Sequence, residues 1–587
     1  GQDGVFKLQF GYSELPHRLY DTGVTPFEGV GGSRLTLPFG PAATTGAMPL
    51  ATTQQAADAG FDRKRIEAAA TLQAVPEWSW RVNVRRDKRD GLQRMGASFF
   101  STSSQLLVPI DQATDEIEAS GAYQSGTLRA GLGWQLSRFR NRAGSVTWDN
   151  PFTPVVAGAT QGQLALAPSN DFHQVWAVAG WDPLPELQLS GEVAAGTMTQ
   201  DAPFVDPTLN GTLGVTAAEL PQASLQGKVN TFNGSLRATA TPMAGLRLNA
   251  SVAHDARDNR TPSNAYPALA TDMFVGATER TNLPYDFKQD RLKVSADWRG
   301  PAKLNLAGGV NWDRRERSYQ EVVDTNETTL WARGSRPLGA DTALELKWAH
   351  GERHHSTYGT VIQISPPENP LLRKYNLADR TRDSVGARLD LKPTEIASVT
   401  LNADWAYDDY DRSPIGLTDS RTMDLGLDVG VAVSDDLQLR AYTQLERIRS
   451  RQAGSAFFAG PDWRADSRDD TNLLGLGLRQ NLLNGKLTLD GDLTFARSTS
   501  RVAVAPGSAT DPFPTASTTQ DSLRLQAAWQ VQTRVTLTGS WWYERYVSRD
   551  WHLDGVGPGT VSNLLALGDQ PARYHVNVVR LAMRYSF

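Results

Sequence analysis

The last twelve residues of the chain, 576–587, read VNVVRLAMRYSF and alternate between two kinds of side chain. The residues on one side are all apolar: Val579, Leu581, Met583, Tyr585 and Phe587. A period of two is the geometry of a β-strand, whose successive side chains lie on opposite faces of a sheet. Twelve residues exceed the roughly 9–11 that a tilted strand needs to cross a bilayer. The segment fits a membrane strand and also an edge strand of a soluble sheet, so the rest of the chain has to decide.

The same alternation recurs along the chain as a series of hairpins, in which two strands flank a short connection rich in Gly, Pro, Asn or Asp. Weaker pairs lie at about 62–87, 113–137 and 326–353. The clear pairs are Val175–Trp181 with Leu187–Val193, Leu236–Ala240 with Leu246–Val252, Leu292–Trp298 with Leu304–Trp312, Val385–Leu391 with Val399–Tyr407, Leu425–Val433 with Leu437–Leu445, Leu474–Leu478 with Leu487–Phe495, and Leu523–Val531 with Val535–Tyr543.

These ten hairpins, a first strand that starts at Phe6 and the last strand add up to 22 strands. Residues 88–112 and 138–171 leave room for 24 or 26. Between the hairpins lie long polar connections, which count against a compact soluble domain. They are expected of an outer-membrane barrel, which has short periplasmic turns and long extracellular loops. Aromatic girdles of such a barrel would use the 16 Trp and 15 Tyr.

The alternation also separates two faces. In the strand Leu292–Trp298, Leu292 and Val294 share one face and Lys293 and Asp297 the other. A soluble sandwich needs a dry inner face, so the apolar face is expected to lie against lipid and the polar face to line a lumen. We therefore predict an all-β fold: a single large closed antiparallel transmembrane β-barrel of 22–26 strands.

Two regions divide the chain. Residues 1–60 are predicted to hold the first strand and a loop rich in Gly, Pro, Thr and Ala, which is too short for a folded plug domain. Residues 61–587 are predicted to form the barrel and to end in the strand 576–587. No run approaches the 18 apolar residues of a membrane helix. The chain begins GQDGVF, which indicates a mature outer-membrane protein of a Gram-negative bacterium after removal of its signal peptide.

Little in the sequence indicates chemistry. The net charge of −5 gives no reason to expect a nucleic acid partner, and the lack of cysteine excludes disulfides and c-type haem attachment. His354 and His355 are adjacent, which is poor geometry for two ligands of one metal. The acidic cluster Asp408, Asp409 and Asp411 lacks the ligand spacing of a calcium loop and fits a solvated rim better. We expect no catalytic, cofactor or metal site, and no enzyme.

The amino-acid sequence of several strands resembles the MtrB/PioB family, the outer-membrane barrels of porin–cytochrome complexes. The resemblance covers the middle of the chain, and the ends agree mainly in pattern. The stretches that carry it are SLQGKVNTFNGSLRATATPMAGLRLNASVAHDARDNRTP at 224–262, NLPYDFKQDRLKVSADWR at 282–299, WDRRERSYQEVVDTNETTLWARGS at 312–335, RDSVGARLDLKP at 382–393 and LNADWAYDDYDRSPIGL at 401–417.

The resemblance implies a barrel of 26 strands that sheathes a periplasmic multihaem, typically decahaem, c-type cytochrome for extracellular electron transfer. An extracellular multihaem cytochrome is a further implied partner, and all haem belongs to the partners. The CxxC of some family members is missing from this chain, so no role of that motif carries over. The lumen-facing candidates for cytochrome contact are Lys293, Asp297, Arg388, Asp390, Gln438 and Arg440.

The predicted width fits a sheath. A barrel of 26 strands would have a diameter on the order of 50 Å, so it needs a plug, and another chain has to supply it. Two rival functions stay open at this stage: a diffusion porin, and a plugged transporter for a small solute.

Overall fold

The structure, a computed structural model, describes residues 5–359, 368–410, 412–506, 513–568 and 570–586. Its main feature is a set of 22 long strands. In chain order, β1 to β22 are Phe6–Tyr20, Ala59–Val75, Trp78–Phe99, Thr102–Ser125, Leu128–Asn141, Asn170–Leu184, Leu187–Gln200, Gly227–Met243, Leu246–Asn259, Phe287–Arg299, Asn305–Arg317, Asp324–Pro337, Thr342–His355, Arg380–Thr394, Ala397–Asp409, Ile415–Ser434, Leu437–Gly454, Trp463–Leu482, Leu487–Ala505, Ala516–Gln532, Val535–Arg549 and Arg573–Tyr585.

Each long strand pairs in antiparallel fashion with the next, from β1 with β2 through to β21 with β22. All ten predicted hairpins are confirmed, and the all-β prediction with them. The described residues give 22 long strands, the lower end of the predicted range, and the count of 26 stays a prediction. Phe587 lies outside the described residues.

The registers confirm the two predicted faces, because directly opposed residues of an antiparallel pair point to the same side. Leu292 on β10 opposes Val252 on β9 and Trp312 on β11. At the far end of the sheet, Leu537 on β21 opposes Met583 on β22. Tracing these pairs from strand to strand gives one apolar face and one polar face for the whole sheet.

The two regions in which further strands had room are organised differently. Residues 88–112 form the outer halves of β3 and β4, which extend far past their neighbours as a long arm. Within 138–171, the short strands Ser145–Asp149 and Gln161–Ala165 pair with each other and with Arg34–Leu35, outside the main sheet. Neither region adds a strand to the series of 22.

The long connections at the outer end of the sheet share an apolar core, which we call the cap. The predicted loop between β1 and β2 is part of it and contains the short strands Val24–Thr25, Arg34–Leu35 and Gln55–Ala56. Each fully buried side chain here stabilises the cap by roughly 1.5–3 kcal/mol. The buried residues come from four connections and the β3–β4 arm: Phe27, Leu35, Met48, Phe99, Leu106, Val108, Val146, Trp148, Phe152, Ala159, Leu166, Met273 and Leu565.

Backbone hydrogen bonds tie the ends of the chain together in this cap. The Val24 amide donates to the Leu567 carbonyl at 2.8 Å, and the Ser103 amide donates to the Asn563 carbonyl at 2.9 Å. The connection before β2 and the connection before β22 are therefore joined, although more than 500 residues separate them in sequence. Reading these connections as polar loops was wrong for this set, because their apolar residues pack against one another across several connections.

One carboxyl is buried in the cap. Asp272 accepts a hydrogen bond from the Gln163 amide at 3.0 Å. Burial raises the pKa of Asp272, and the hydrogen bonds from Gln163 and Thr208 offset only part of this effect. Folding therefore shifts the proton equilibrium of Asp272 towards the neutral acid, relative to the same group in an unfolded loop.

No helix among these described residues is long and apolar enough to cross a membrane.

Asp272 makes the stability of the cap depend on pH. Since its pKa is higher in the folded protein than in an unfolded loop, the stabilisation is full below the unfolded pKa and is lost as pH rises through the folded pKa. Hydrogen exchange at the Gln163 amide, corrected for intrinsic rates, should show protection falling over that range. Asp272→Asn should remove the dependence, whereas Asp554→Asn in an exposed loop should retain it. An unchanged profile in Asp272→Asn would contradict the assignment.

The two faces should differ in their tolerance of charge. Leu427→Arg puts a cation on the apolar face at mid-strand and should cost roughly 2–4 kcal/mol of folding free energy in a bilayer. Gln444→Arg lies at nearly the same depth on the polar face, where Asp424 already accepts a hydrogen bond from Gln444 at 2.8 Å. Folding into lipid vesicles, followed by electrophoretic mobility, should separate the two variants. Equal losses of folding free energy would contradict the assignment of faces.

Candidate functional site

The polar face of the sheet holds all six residues predicted to line a lumen. Lys293 and Asp297 lie on β10, Arg388 and Asp390 on β14, and the remaining two on β17. The registers from β10 to β17 place all six on the same side. The side chains of Lys293, Arg388, Gln438 and Arg440 are exposed, and those of Asp297 and Asp390 are half-buried.

Two of the predicted residues bind each other. The Arg388 guanidinium donates to both carboxylate oxygens of Asp390, at 2.9 to 3.2 Å. Asp390 also accepts a hydrogen bond from the Thr400 hydroxyl on β15 at 2.7 Å. The pair lies two residues apart on one strand, so it fixes the direction of both side chains along the wall.

Asp297 belongs to a network that crosses several strands. It accepts a hydrogen bond from the Asn249 side chain at 3.0 Å, and the Arg333 guanidinium lies 3.6 Å away. Arg333 is on β12, two strands from Asp297 on β10. Side chains of the polar face therefore meet across an intervening strand.

Arg440 and Tyr442 form the best-defined contact on β17. The guanidinium of Arg440 binds Asp428 and lies over the Tyr442 ring, 4.9 Å from its centre. The ring crosses β18 at Gly475, where an added Cβ would come within 2.0 Å of Tyr442. The Tyr442 hydroxyl thereby reaches Thr494 on β19 at 3.2 Å. Glycine is required here because the aromatic ring occupies the place of a side chain.

Lys293 borders a recess of about 1120 Å³ on the polar face, which Arg237 and Arg291 also line. Ser251 on β9 opposes both Arg237 on β8 and Lys293 on β10. Among the described residues, none of these three cations has a carboxylate within ion-pair distance. The carboxylates Glu77, Asp182 and Glu192 line other parts of the same recess, so the basic character is confined to this group of three cations.

The charges of the polar face are divided between two groups of strands. We call the polar face of β8–β14 the basic wall and that of β15–β19 the acidic wall. Paired positions of the basic wall hold 14 cations and 6 carboxylates: Arg237, Arg247, Arg257, Arg291, Lys293, Arg299, Arg315, Arg317, Arg333, Lys347, Arg353, Arg380, Arg382 and Arg388, with Asp255, Asp297, Asp313, Glu327, Glu345 and Asp390.

The acidic wall has the opposite balance. Its paired positions hold 8 carboxylates and 2 cations: Asp404, Asp408, Asp424, Asp428, Glu446, Asp469, Asp490 and Asp492, with Arg440 and Arg479. The walls meet between β14 and β15, where Arg380 and Arg382 lie 3.5 and 3.4 Å from the Asp408 carboxylate.

One row of directly opposed positions, which we call the charged row, crosses this boundary. Arg333 opposes Lys347, and on the other side of Gly386 the residues Asp404, Asp424 and Glu446 oppose one another in turn. Like charges that face each other across strands destabilise a sheet. Among the described residues, no cation lies within ion-pair distance of Asp404, Asp424 or Glu446.

The residues considered for metal binding do not come together. His355 lies near Asp379, while His354 points to the opposite face of the strand. Asp408 binds two arginines, and Asp411 lies outside the described residues. Across the described part of the chain, no three His, Asp or Glu side chains are grouped so that they could hold a metal ion.

Comparison with known proteins agrees with this geometry. The family model described as "Putative outer membrane beta-barrel porin, MtrB/PioB" matches residues 1–587. The chain belongs to the MtrB/PioB family. It is an outer-membrane protein, and the predicted localisation is confirmed. Outer membrane protein MtrB of Shewanella baltica (strain OS185) is 29% identical over 589 residues, which cover 100% of this chain and 83% of the relative.

Solved structures with a similar fold are outer-membrane transporters. The outer membrane transporter YddB from Escherichia coli has a TM-score of 0.53 at 9% identity and covers 100% of this chain and 81% of its own. The FrpB iron transporter from Neisseria meningitidis (F3-3 variant) has a TM-score of 0.51 at 9% identity, with coverages of 89% and 79%. At these identities the likeness concerns the fold alone.

Sequence reasoning identified the lumen candidates in this MtrB/PioB-family chain but missed the charged row. The pairing of Gly386 with Asp404 lies within a predicted hairpin and could have been read from it. The pairing of Asp404 with Asp424 spans β15 and β16, whose connection is at the outer end. Its register depends on the connection's conformation, so sequence patterns could not supply it.

Gly475 should tolerate no side chain. Gly475→Val would push the Tyr442 ring off β18 and should lower the free energy of unfolding by about 1–3 kcal/mol. Gly477→Val is the matched control on the same strand and face, because its added Cβ comes no closer than 3.4 Å to another atom. Denaturant unfolding followed by tryptophan fluorescence compares the two; equal stabilities would contradict the role assigned to Tyr442.

Proposed function

We propose that the sheet of this MtrB/PioB-family protein closes between β1 and β22 into a barrel that sheathes a periplasmic multihaem c-type cytochrome. Electrons would then cross the outer membrane along the haems inside an insulated lumen. The proposal includes, as a further partner, an extracellular multihaem cytochrome that exchanges electrons with the first. This chain supplies the wall and no redox centre of its own.

The observation that carries the proposal is the uncovered polar face. Long side chains on this face, such as Lys293, Arg388 and Arg440, are exposed. Each strand contacts its neighbours only edge to edge, so the polar face itself stays open. A closed barrel of 22 strands would have a diameter on the order of 45 Å. An open lumen of that width would let small molecules leak, so a separate occupant of protein size is required.

The composition supports a complex in which this chain forms the wall and another chain carries the redox centres. The protein has no cysteine, so it cannot attach c-type haem. The apolar face supplies contact with lipid, and backbone groups satisfied within the sheet let the wall pass through hydrocarbon. The polar face offers hydrogen-bond donors and acceptors to an occupant in every strand. An insulating wall with a polar lining is the contribution that this sequence can make to electron transfer.

Electron transfer into sealed vesicles tests the proposal. Proteoliposomes that enclose a redox dye should respond to an impermeant external reductant when they contain the barrel together with a multihaem cytochrome. Vesicles with the barrel alone should stay unreduced when the reductant is too large to pass through an open lumen, because no chain of redox centres crosses the membrane.

The rival functions give different results. Equal dye reduction by the barrel alone, without leakage of reductant, would refute the sheath. A wild-type protein that is purified without any haem protein and shows stable high conductance for small ions would favour a diffusion porin. Uptake of one specific solute by cells that lack the cytochrome would favour a transporter.

A further inference from the structure

The division of charge on the polar face has a consequence for the occupant. We propose that the two walls fix the rotational orientation of a protein inside the lumen: an acidic flank of the occupant lies against the basic wall, β8–β14, and a basic flank lies against the acidic wall, β15–β19. This inference rests on the proposed function and goes beyond it, because a sheath could also hold its occupant through uncharged contacts.

The imbalance of each wall is large. The basic wall carries a net charge of +8 and the acidic wall a net charge of −6 at its paired positions, with Lys and Arg counted against Asp and Glu. The whole chain is nearly balanced at −5. If cations and carboxylates alternated from strand to strand, they could pair with each other within the sheet. Because they are separated, each wall keeps an excess of one sign of charge.

The charged row shows the same separation at single positions. Arg333 and Lys347 oppose each other, and so do Asp404 and Asp424. The carboxylate pair is unfavourable in the empty sheet, because like charges lie directly across from one another. The cation pair is partly offset, because Arg333 has Asp297 at 3.6 Å and Lys347 has Glu345 at 3.4 Å. Cations brought by an occupant would convert the carboxylate pair from a cost into a source of binding free energy.

Gly386 is the junction between the two ends of the row. An added Cβ at this position would lie 2.3 Å from Oδ1 of Asp404, so the carboxylate leans over the glycine. A recess of about 560 Å³ borders the junction and is lined by Arg333, Lys347, Asp404 and Asp424. An occupant at this height meets two cations on one side and two carboxylates on the other.

The size of the walls indicates a protein surface and not a small ion. Strands lie about 4.8 Å apart, so seven and five strands present widths on the order of 25–35 Å. Among the described residues, no three His, Asp or Glu side chains are grouped so that they could hold a metal ion. Complementary charge spread over such widths steers association and selects orientation.

Cross-linking from defined positions tests the orientation directly, because the chain has no cysteine of its own. Ser251→Cys places a thiol on the basic wall between Arg237 and Lys293, and Thr422→Cys places one on the acidic wall next to Asp424. Each thiol is labelled with a benzophenone maleimide, and the full-length protein is loaded with a purified periplasmic multihaem c-type cytochrome. Mass spectrometry identifies the captured peptides.

The expected result is two different sets of cytochrome peptides. Ser251→Cys should capture surface peptides rich in Asp and Glu, and Thr422→Cys should capture peptides rich in Lys and Arg. Capture of the same peptides from both walls, or of the opposite charges, would overturn the inference. Both substitutions are small and neutral, so this test does not depend on variants that disturb folding.

Charge reversal supplies the second arm. Arg333→Asp with Lys347→Asp, and separately Asp404→Lys with Asp424→Lys, should each weaken cytochrome binding by about tenfold or more at low ionic strength. The loss should shrink as salt rises, because screening weakens exposed charges. Combining all four substitutions leaves the net charge unchanged and exchanges the ends of the row; it should also weaken binding. Lys228→Glu with Lys288→Glu, two exposed residues on the same side of the sheet as the apolar face, is the matched control and should bind normally.

The outcomes separate this inference from the proposed function. If wild-type protein binds the cytochrome and transfers electrons while all reversed variants do the same, the orientation inference is wrong and the sheath remains. If the wild-type protein binds no multihaem cytochrome, the sheath itself is wrong and the inference falls with it. Weakened binding in the reversed variants, with charge-sorted cross-links and an unaffected control, supports both.

Discussion

Backbone hydrogen bonding is the constraint on which the rest of this protein depends. A chain that crosses lipid has no water to satisfy its amide and carbonyl groups, so every spanning strand must pair with a neighbour on each side. Here 22 long strands are joined in series by antiparallel registers. Because the backbone meets this requirement, the side chains divide into an apolar set and a polar set by their position along each strand.

The polar set is the surface on which the proposed function of this family member rests. Contacts such as Arg388 with Asp390, and Arg440 over Tyr442, give it fixed local geometry. Larger-scale order comes from the separation of cations on β8–β14 from carboxylates on β15–β19. In the proposed complex, this pattern would face a charged protein partner.

The outer end of the sheet follows a different rule. Connections above the membrane are in water, so they need an apolar centre to be ordered, and the cap provides one around Phe27, Trp148 and Phe152. The joined connections at Val24 and Leu567 link the first and last parts of the chain there. Order at this end is thus set by burial, whereas order in the wall is set by backbone pairing. Asp272 lies where burial dominates, and its raised pKa reflects that environment.

The sequence by itself determined the strand faces, the ten hairpins and the polar side of all six predicted residues, because a period of two and a short turn act over a few residues. It also indicated the family. Only the tertiary structure decided the pairing of one hairpin with the next, and with it the opposition of Asp404 to Asp424. It also decided the cap, where Leu35 and Leu565 become buried together. The physical reason is that registers across the outer connections, and cores assembled from separate loops, depend on contacts that no local pattern encodes.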